Sequence, residues 1–242
     1  MVIAWGRRLL TALVGIPMAL CLLISDLGML LLATTLCCLS LIEFTYNICP
    51  PIVPPSKTVA KEHLHHLLVV ASDGFGHAIL LRYSSIKYGL GLQLLGLCCA
   101  WVCDSAALIA GFSMGSIKLA PVVSPGKTCV GTIVGIVSSI TTVLGMFAFS
   151  DFMTALPAMR EKWPHYLLPP PEVVPFAHQV VLGTVLGVLC IVGDLVESFV
   201  KRVAGVKDSG TFFPGHGGCL DRMDSFLFVA PCLYYYCQFA LT

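Results

Sequence analysis

The chain has 242 residues, a formal net charge of +1, 57% hydrophobic residues and only 11% charged ones, at a mean hydropathy of +0.90. This balance excludes an ordinary water-soluble domain, and without a long basic run no nucleic-acid partner is expected. Repeated apolar stretches near the ~20 residues that cross a bilayer, in place of short alternating segments, exclude a β-barrel and predict an all-α fold, a polytopic transmembrane helical bundle.

Seven spans are predicted, at about 8–25, 27–44, 64–82, 89–111, 129–150, 176–200 and 224–240. Arg7 and Arg8 precede the first as in a signal peptide, but no small-residue cleavage site follows, which predicts a retained helix. The third span is interrupted by Asp73 and flanked by His63, His65 and His66. The proline-rich patches CPPIVPP at 49–55 and LPPPEVVP at 168–175 read as loops. Residues 112–128 and 201–223 form two polar, glycine-containing loops. There is no internal repeat, low-complexity tract or second soluble domain. Residues 1–242 therefore read as one membrane-embedded domain, with N-terminal spans at 1–88 and the chemistry-bearing region at 89–242. Most of the twelve cysteines, such as Cys37, Cys38, Cys98, Cys99 and Cys190, lie inside apolar runs, where Cys acts as a small hydrophobe. Free thiols are expected, and no zinc-like spacing pairs them with histidines.

Seven spans put the N-terminus, residues 45–63, 112–128 and 201–223 on one side. That side carries Arg7, Arg8, Lys57, Lys61, Lys118, Lys127, Lys201, Arg202, Lys207 and Arg222, leaving Arg82, Lys87, Arg160 and Lys162 on the other. The positive-inside rule makes the first side cytoplasmic. Two spans separate the polar loops, so these share a side even if the third segment does not cross.

The chemistry concentrates at the end of the sixth span and beyond. On a helix, Asp194 shares a face with Glu197, Ser198 and Lys201. Carboxylates at membrane depth are costly and by default functional, the plain alternative being an Asp194–Lys201 or Glu197–Lys201 pair that stabilises the helix end. The run from Lys207 to Ser225 packs Lys207, Asp208, Asp221, Arg222 and Asp224 around Pro214-Gly215-His216-Gly217-Gly218. Glycines there let amide groups approach an anion, or form a tight turn with no ligand. Lys201, Lys207 and Arg222 supply the cations that polyphosphate needs. Asp221 and Asp224 put two carboxylates on one face, more than helix capping needs, and oxygen-only ligands beside phosphates suit Mg²⁺. In the earlier loop, Asp104 lies within an apolar helix, and Lys118, Ser124, Lys127 and Thr128 are donors. Gly126-Lys127-Thr128 has the ending of a Walker A loop, but Pro121 stands where a glycine is required and no strand precedes it.

Together the loops resemble the phosphatidate cytidylyltransferase family, also called CDP-diacylglycerol synthase. Its pattern S-x-x-K-R-x4-K-D-x-G-x3-P-x-H-G-G-x-x-D-R-x-D is met by Ser198, Lys201, Arg202, Lys207, Asp208, Gly210, Pro214, His216, Gly217, Gly218, Asp221, Arg222 and Asp224. The family's D-[ST]-x-A-x3-G and S-P-x-K-T-x-E-G segments match Asp104 to Gly111 and Ser124 to Gly131. Val130 stands where the family usually has Glu, Gly126 replaces a common Lys, Cys219 replaces an aliphatic residue, and region 45–85 is shorter than in members with eight or nine spans.

The resemblance implies a nucleotidyltransferase of phospholipid biosynthesis that turns CTP and phosphatidate into CDP-diacylglycerol and pyrophosphate. It implies Mg²⁺ held by Asp194 and Asp221, with Asp224 close by and room for a second, monovalent cation. Lys201, Arg202, Lys207, His216 and Arg222 would contact phosphates, with Asp208 and Asp224 in the catalytic set. Ser124, Lys127 and Thr128 would bind nucleotide or pyrophosphate, together with Asp104, Gly217 and Gly218. The implied setting is a bilayer, either a bacterial inner membrane or a eukaryotic endomembrane, with the loops cytoplasmic and a homodimer allowed. The competing readings are a CTP-dependent enzyme acting on another lipid acceptor, an inactive homologue, and an ion or solute transporter whose pathway uses Asp104, Asp194 and Glu197. The transporter reading is weakened by the absence of inverted repeats.

Overall fold

Ser25 separates the first two apolar segments. Its hydroxyl accepts the Gly28 amide at 3.0 Å, capping a helix whose first turn begins with Asp26. In this computed structural model the described residues are 5–52, 58–83, 87–156, 167–213 and 217–241. Helix α1 spans Trp5–Ile24 and α2 spans Asp26–Glu43. A π-helical turn, Phe44–Ile48, leads into the short α3, Cys49–Ile52. The patch read as a loop at 49–55 is therefore helical up to Ile52, continuing directly from the π turn. Helices α4 (Thr58–Tyr83), α5 (Gly89–Met114), α6 (Cys129–Ala155), α7 (Phe176–Val203) and α8 (Leu220–Ala240) follow.

The architecture is mostly helical rather than all-α. Within the segment expected to be a loop at 112–128, strand β1 (Lys118–Ala120) pairs antiparallel with β2 (Ser124–Thr128), Lys118 opposite Thr128 and Ala120 opposite Ser124, with an irregularity between them. Among the described residues four helical stretches, rather than seven, are both long and apolar enough to cross a membrane: Asp26–Ile52, Gly89–Met114, Cys129–Ala155 and Phe176–Val203. Helix α4 carries Lys61, Glu62, Asp73 and Arg82 among its apolar residues, and α8 carries Asp221, Arg222, Asp224 and three tyrosines. All twelve cysteines are free thiols.

Packing runs in a chain of neighbours, α1 on α2, α2 on α4, α4 on α8, α8 on α7, α7 on α6 and α6 on α5. The main core joins Leu92, Leu95, Cys99, Val143, Phe147, Leu186 and Leu233 from four helices. A second cluster joins Phe44 and Ile48 of the π turn to Val200, Leu220 and Leu227. Helices in lipid associate by close fit more than by hydrophobic drive, so small residues mark the crossings. A Cβ on Gly131 would lie 2.5 Å from the Ala107 carbonyl, and one on Gly135 would lie 3.2 Å from Ala107 Cβ. Ala107 and Gly111 share a face with Asp104, so the close α5–α6 crossing also brings the start of α6 to that aspartate.

Candidate active site

Helix α7 supplies Asp194, Glu197 and Lys201 from one face, and α8 opposes them with Asp221, Asp224 and Ser225. The two helices touch at Gly193, where a Cβ would fall 2.6 Å from the Asp224 carbonyl and 3.1 Å from Ser225 Cα. Glycine immediately before Asp194 is thus what lets the two acidic faces meet. Helix α7 then stops in a Schellman turn. Gly205 takes φ +70°, its amide donates to the Arg202 carbonyl, and the Val206 amide donates to that of Lys201, both at 3.0 Å. The chain leaves the helix axis there, with Lys201 and Arg202 in the last turn, where cations complement the helix dipole.

Two lysines each bridge two carboxylates. Lys201 Nζ lies 2.6 Å from Glu197 Oε2 and 2.8 Å from Asp221 Oδ1, and all three side chains are largely buried. Lys127, brought in by β2, contacts Asp194 and lies 3.8 Å from Asp104 Oδ1. Burial pulls the Lys127 ammonium toward neutrality, but Asp194 and Asp104 outweigh it and its pKa is raised. Ser225 Oγ, within reach of both Asp104 Oδ2 (3.2 Å) and the Cys190 carbonyl (3.0 Å), can donate its one proton to either. Five carboxylates thus converge from three helices, and buried negative charge on this scale demands cations.

Asp194, Glu197 and Asp224 could hold a metal ion: each offers an oxygen, and these oxygens lie within 4.8 Å of one another. Glu197 Oε1 is buried without a hydrogen-bond partner, which fits a cation ligand better than a structural ion pair. Three hard oxygen donors suit a divalent ion of the magnesium or calcium kind, not a soft metal.

The other expected residues fall at different distances from this cluster. Asp221 is not one of the three clustered donors. It is engaged by Lys201, by the Gly218 amide at 2.7 Å and by the Ser209 amide at 3.0 Å. The Gly218 amide, expected to face an anion, is therefore taken by the Asp221 carboxylate in the first turn of α8. Gly217 takes φ +85° and its carbonyl accepts from the Phe213 amide at 2.9 Å. Thr128 is buried as the N-cap of α6, its hydroxyl accepting the Gly131 amide at 3.1 Å. Ser124 starts β2, half-buried. Arg202 joins the two loops by donating from Nε to the Val123 carbonyl at 3.1 Å. Lys207, Asp208 and Arg222 are exposed at the rim, and His216 lies outside the described residues. Sequence reasoning placed Glu197 on the right face without making it a ligand. It missed Glu43, whose only signal was a lone carboxylate ending a membrane-length apolar run, and Ser209 and Asn47 beside it.

A profile of the cytidylyltransferase family matches residues 4–240. The phosphatidate cytidylyltransferase of Staphylococcus saprophyticus is 40% identical over 167 residues, covering 69% of this chain and 56% of that protein. The enzyme of the same name from Synechocystis is 36% identical over 165 residues, 68% of this chain and 49% of the relative. That of Staphylococcus haemolyticus is 38% identical over 167 residues, 69% and 56% respectively. The matched region thus spans about half the length of these relatives. With the profile running through almost every element described above, the chain belongs to the cytidylyltransferase family.

Proposed function

We propose that the chain transfers a cytidylyl group from CTP to phosphatidate, giving CDP-diacylglycerol and pyrophosphate. The observation that carries this reading is the buried cluster itself, in which Lys127 and Lys201 tie together carboxylates from α5, α7 and α8 at the foot of two cation-bearing loops. The relatives named for this activity support it. Such a cluster suits a reaction whose difficulty is bringing two anions together. The phosphatidate phosphate is already ionised at neutral pH, so one of its oxygens can attack the α-phosphorus of CTP without losing a proton. The bond to the β-phosphate breaks, and its electron pair leaves with pyrophosphate.

In this reading Asp194, Glu197 and Asp224 would hold Mg²⁺, which would supply positive charge to offset the negative charge of the approaching phosphates. Lys201 is oriented between Glu197 and Asp221, and Lys127 between Asp194 and Asp104, so two ammonium groups are fixed before substrate arrives. Arg202, Lys207 and Arg222 at the rim attract and seat the polyphosphate. An apolar cavity lined by Phe44, Ile48, Val200, Leu227 and Phe228 reaches Glu197 and Asp224, a suitable route for the glycerol end of a lipid. All seven long helices cross the bilayer, with the site on the cation-rich, cytoplasmic side.

The test supplies purified protein with radiolabelled CTP, Mg²⁺ and phosphatidate. Label is expected in a lipid-extractable product, equimolar with released pyrophosphate. Label entering lipid only with a different acceptor would refute the phosphatidate assignment, and none with any acceptor would refute the reading as a whole.

A further inference from the structure

Glu43 ends α2, far from the site in sequence, and is buried with 7% of its surface exposed. Its Oε2 accepts from the Ser209 hydroxyl at 3.2 Å and from the Leu220 amide at 3.1 Å. Cys219, the N-cap residue of α8, makes no capping bond with its own side chain, so the carboxylate of another helix caps α8 in its place. One helical turn on, Asn47 Nδ2 donates to the Ser209 carbonyl at 2.8 Å. Ser209 is also fully buried, and its amide goes to Asp221. All three polar groups of Ser209 are thereby committed: hydroxyl to Glu43, carbonyl to Asn47, amide to Asp221.

The glycines of the loop fit the same arrangement. A Cβ on Gly210 would fall 2.6 Å from Glu43 Cδ, and one on Gly218 would fall 2.5 Å from Glu43 Oε2. Their small size makes the pocket that this side chain fills. The π-helical turn that carries Asn47 out of α2 is of the kind that recurs at functional sites.

We propose that Glu43 and Asn47 are positioning residues for the site, acting through Ser209 and Asp221 on Lys201. The N-terminal helices thereby become part of the catalytic architecture and not only its anchor. The inference rests on the cytidylyltransferase reading for its activity arm alone.

The test uses the full chain with Glu43→Ala, Glu43→Gln and Asn47→Ala, measuring hydrogen exchange across residues 207–220, melting temperature and turnover. Glu43→Ala is expected to speed exchange of that segment by about tenfold or more. It should also lower kcat by about 10- to 100-fold, the scale of a misplaced catalytic group. Glu43→Gln keeps an oxygen acceptor for the Leu220 amide and should return both readouts close to wild type, while Asn47→Ala should loosen the same segment to a lesser degree. Unchanged exchange in Glu43→Ala, loosening without loss of turnover, or a Glu43→Gln as impaired as Glu43→Ala would each overturn the proposal. If Glu43→Ala does not fold, Asn47→Ala decides: unchanged exchange and turnover would overturn it. If wild type itself makes no CDP-diacylglycerol, the functional reading fails, and the exchange measurement still decides whether Glu43 anchors the loop.

Discussion

Gly193→Ala adds one methyl group at the closest approach of α7 and α8, with no change of charge or polarity. The new carbon would lie 2.6 Å from the Asp224 carbonyl, 3.0 Å from Phe228 Cδ2 and 3.1 Å from Ser225 Cα, against 3.4–4 Å for ordinary contact. Two of these neighbours are backbone atoms of α8, so the helices must part by about 1 Å. Overpacking of this kind costs about 1–3 kcal/mol, which at roughly 2–4 °C per kcal/mol for a chain of this size predicts a clear fall in Tm. The larger effect should be on turnover. Separating Asp194 from Asp224 by about 1 Å disturbs the carboxylates on both sides of the crossing, and a misplacement of that size can cost on the order of 100-fold in rate. Gly145→Ala is the matched control, since a Cβ there meets nothing within 4 Å. It should leave both Tm and turnover unchanged or slightly raise Tm through helix propensity. The assay is CDP-diacylglycerol formation beside thermal unfolding, for both variants in the same detergent. Wild-type turnover in Gly193→Ala would refute the argument that the close crossing sets the geometry of the acidic cluster.

Lys201→Met leaves Glu197 and Asp221 facing each other without their shared cation, and removing one partner from a buried ionic cluster costs about 3–5 kcal/mol. Its Tm should fall well below that of Arg202→Met, whose guanidinium is exposed, and equal Tm values would contradict the bridging role. Lys127→Met should give a pH-dependent deficit. The Lys127 pKa is raised in the folded chain, so its stabilisation is complete below the unfolded value of about 10.4 and is lost as pH rises through the higher folded value. The Tm gap between wild type and Lys127→Met should therefore be constant from neutral pH to about 9 and close only at more alkaline pH, whereas a gap that closes near neutrality would refute the assignment.

The long helices are legible in the sequence because apolar runs end at capping residues, glycines or prolines, as at Ser25 and Thr128. The smaller features are not. The strand Ser124–Thr128 contains Pro125 and Gly126, both poor strand formers, and exists only because its ends pair with Lys118 and Ala120. The π turn at Phe44–Ile48 leaves no mark in hydrophobic periodicity. The face uniting Asp194, Glu197 and Lys201 follows from helical spacing alone, but how the two lysines divide four of the five carboxylates depends on the α7–α8 crossing and on β2, which no local pattern encodes. Glu43 is least legible of all, since its partners lie 166 and 177 positions away.

Helices α6 and α7 run 27 and 28 residues from the loops that bear the site. At 1.5 Å per residue each is about 40 Å long, so the end of α6 at Ala155 and the start of α7 at Phe176 lie at the far end of these helices from Lys127 and Lys201. That end is closed by packing, with Leu168 and Val174 fully buried in the main core and the Leu168 amide donating to Ser150 Oγ at 3.1 Å. Glu172 is exposed there, so a reporter group at that position would sit about a helix length from Lys201, which gives experimenters an attachment point remote from the candidate site.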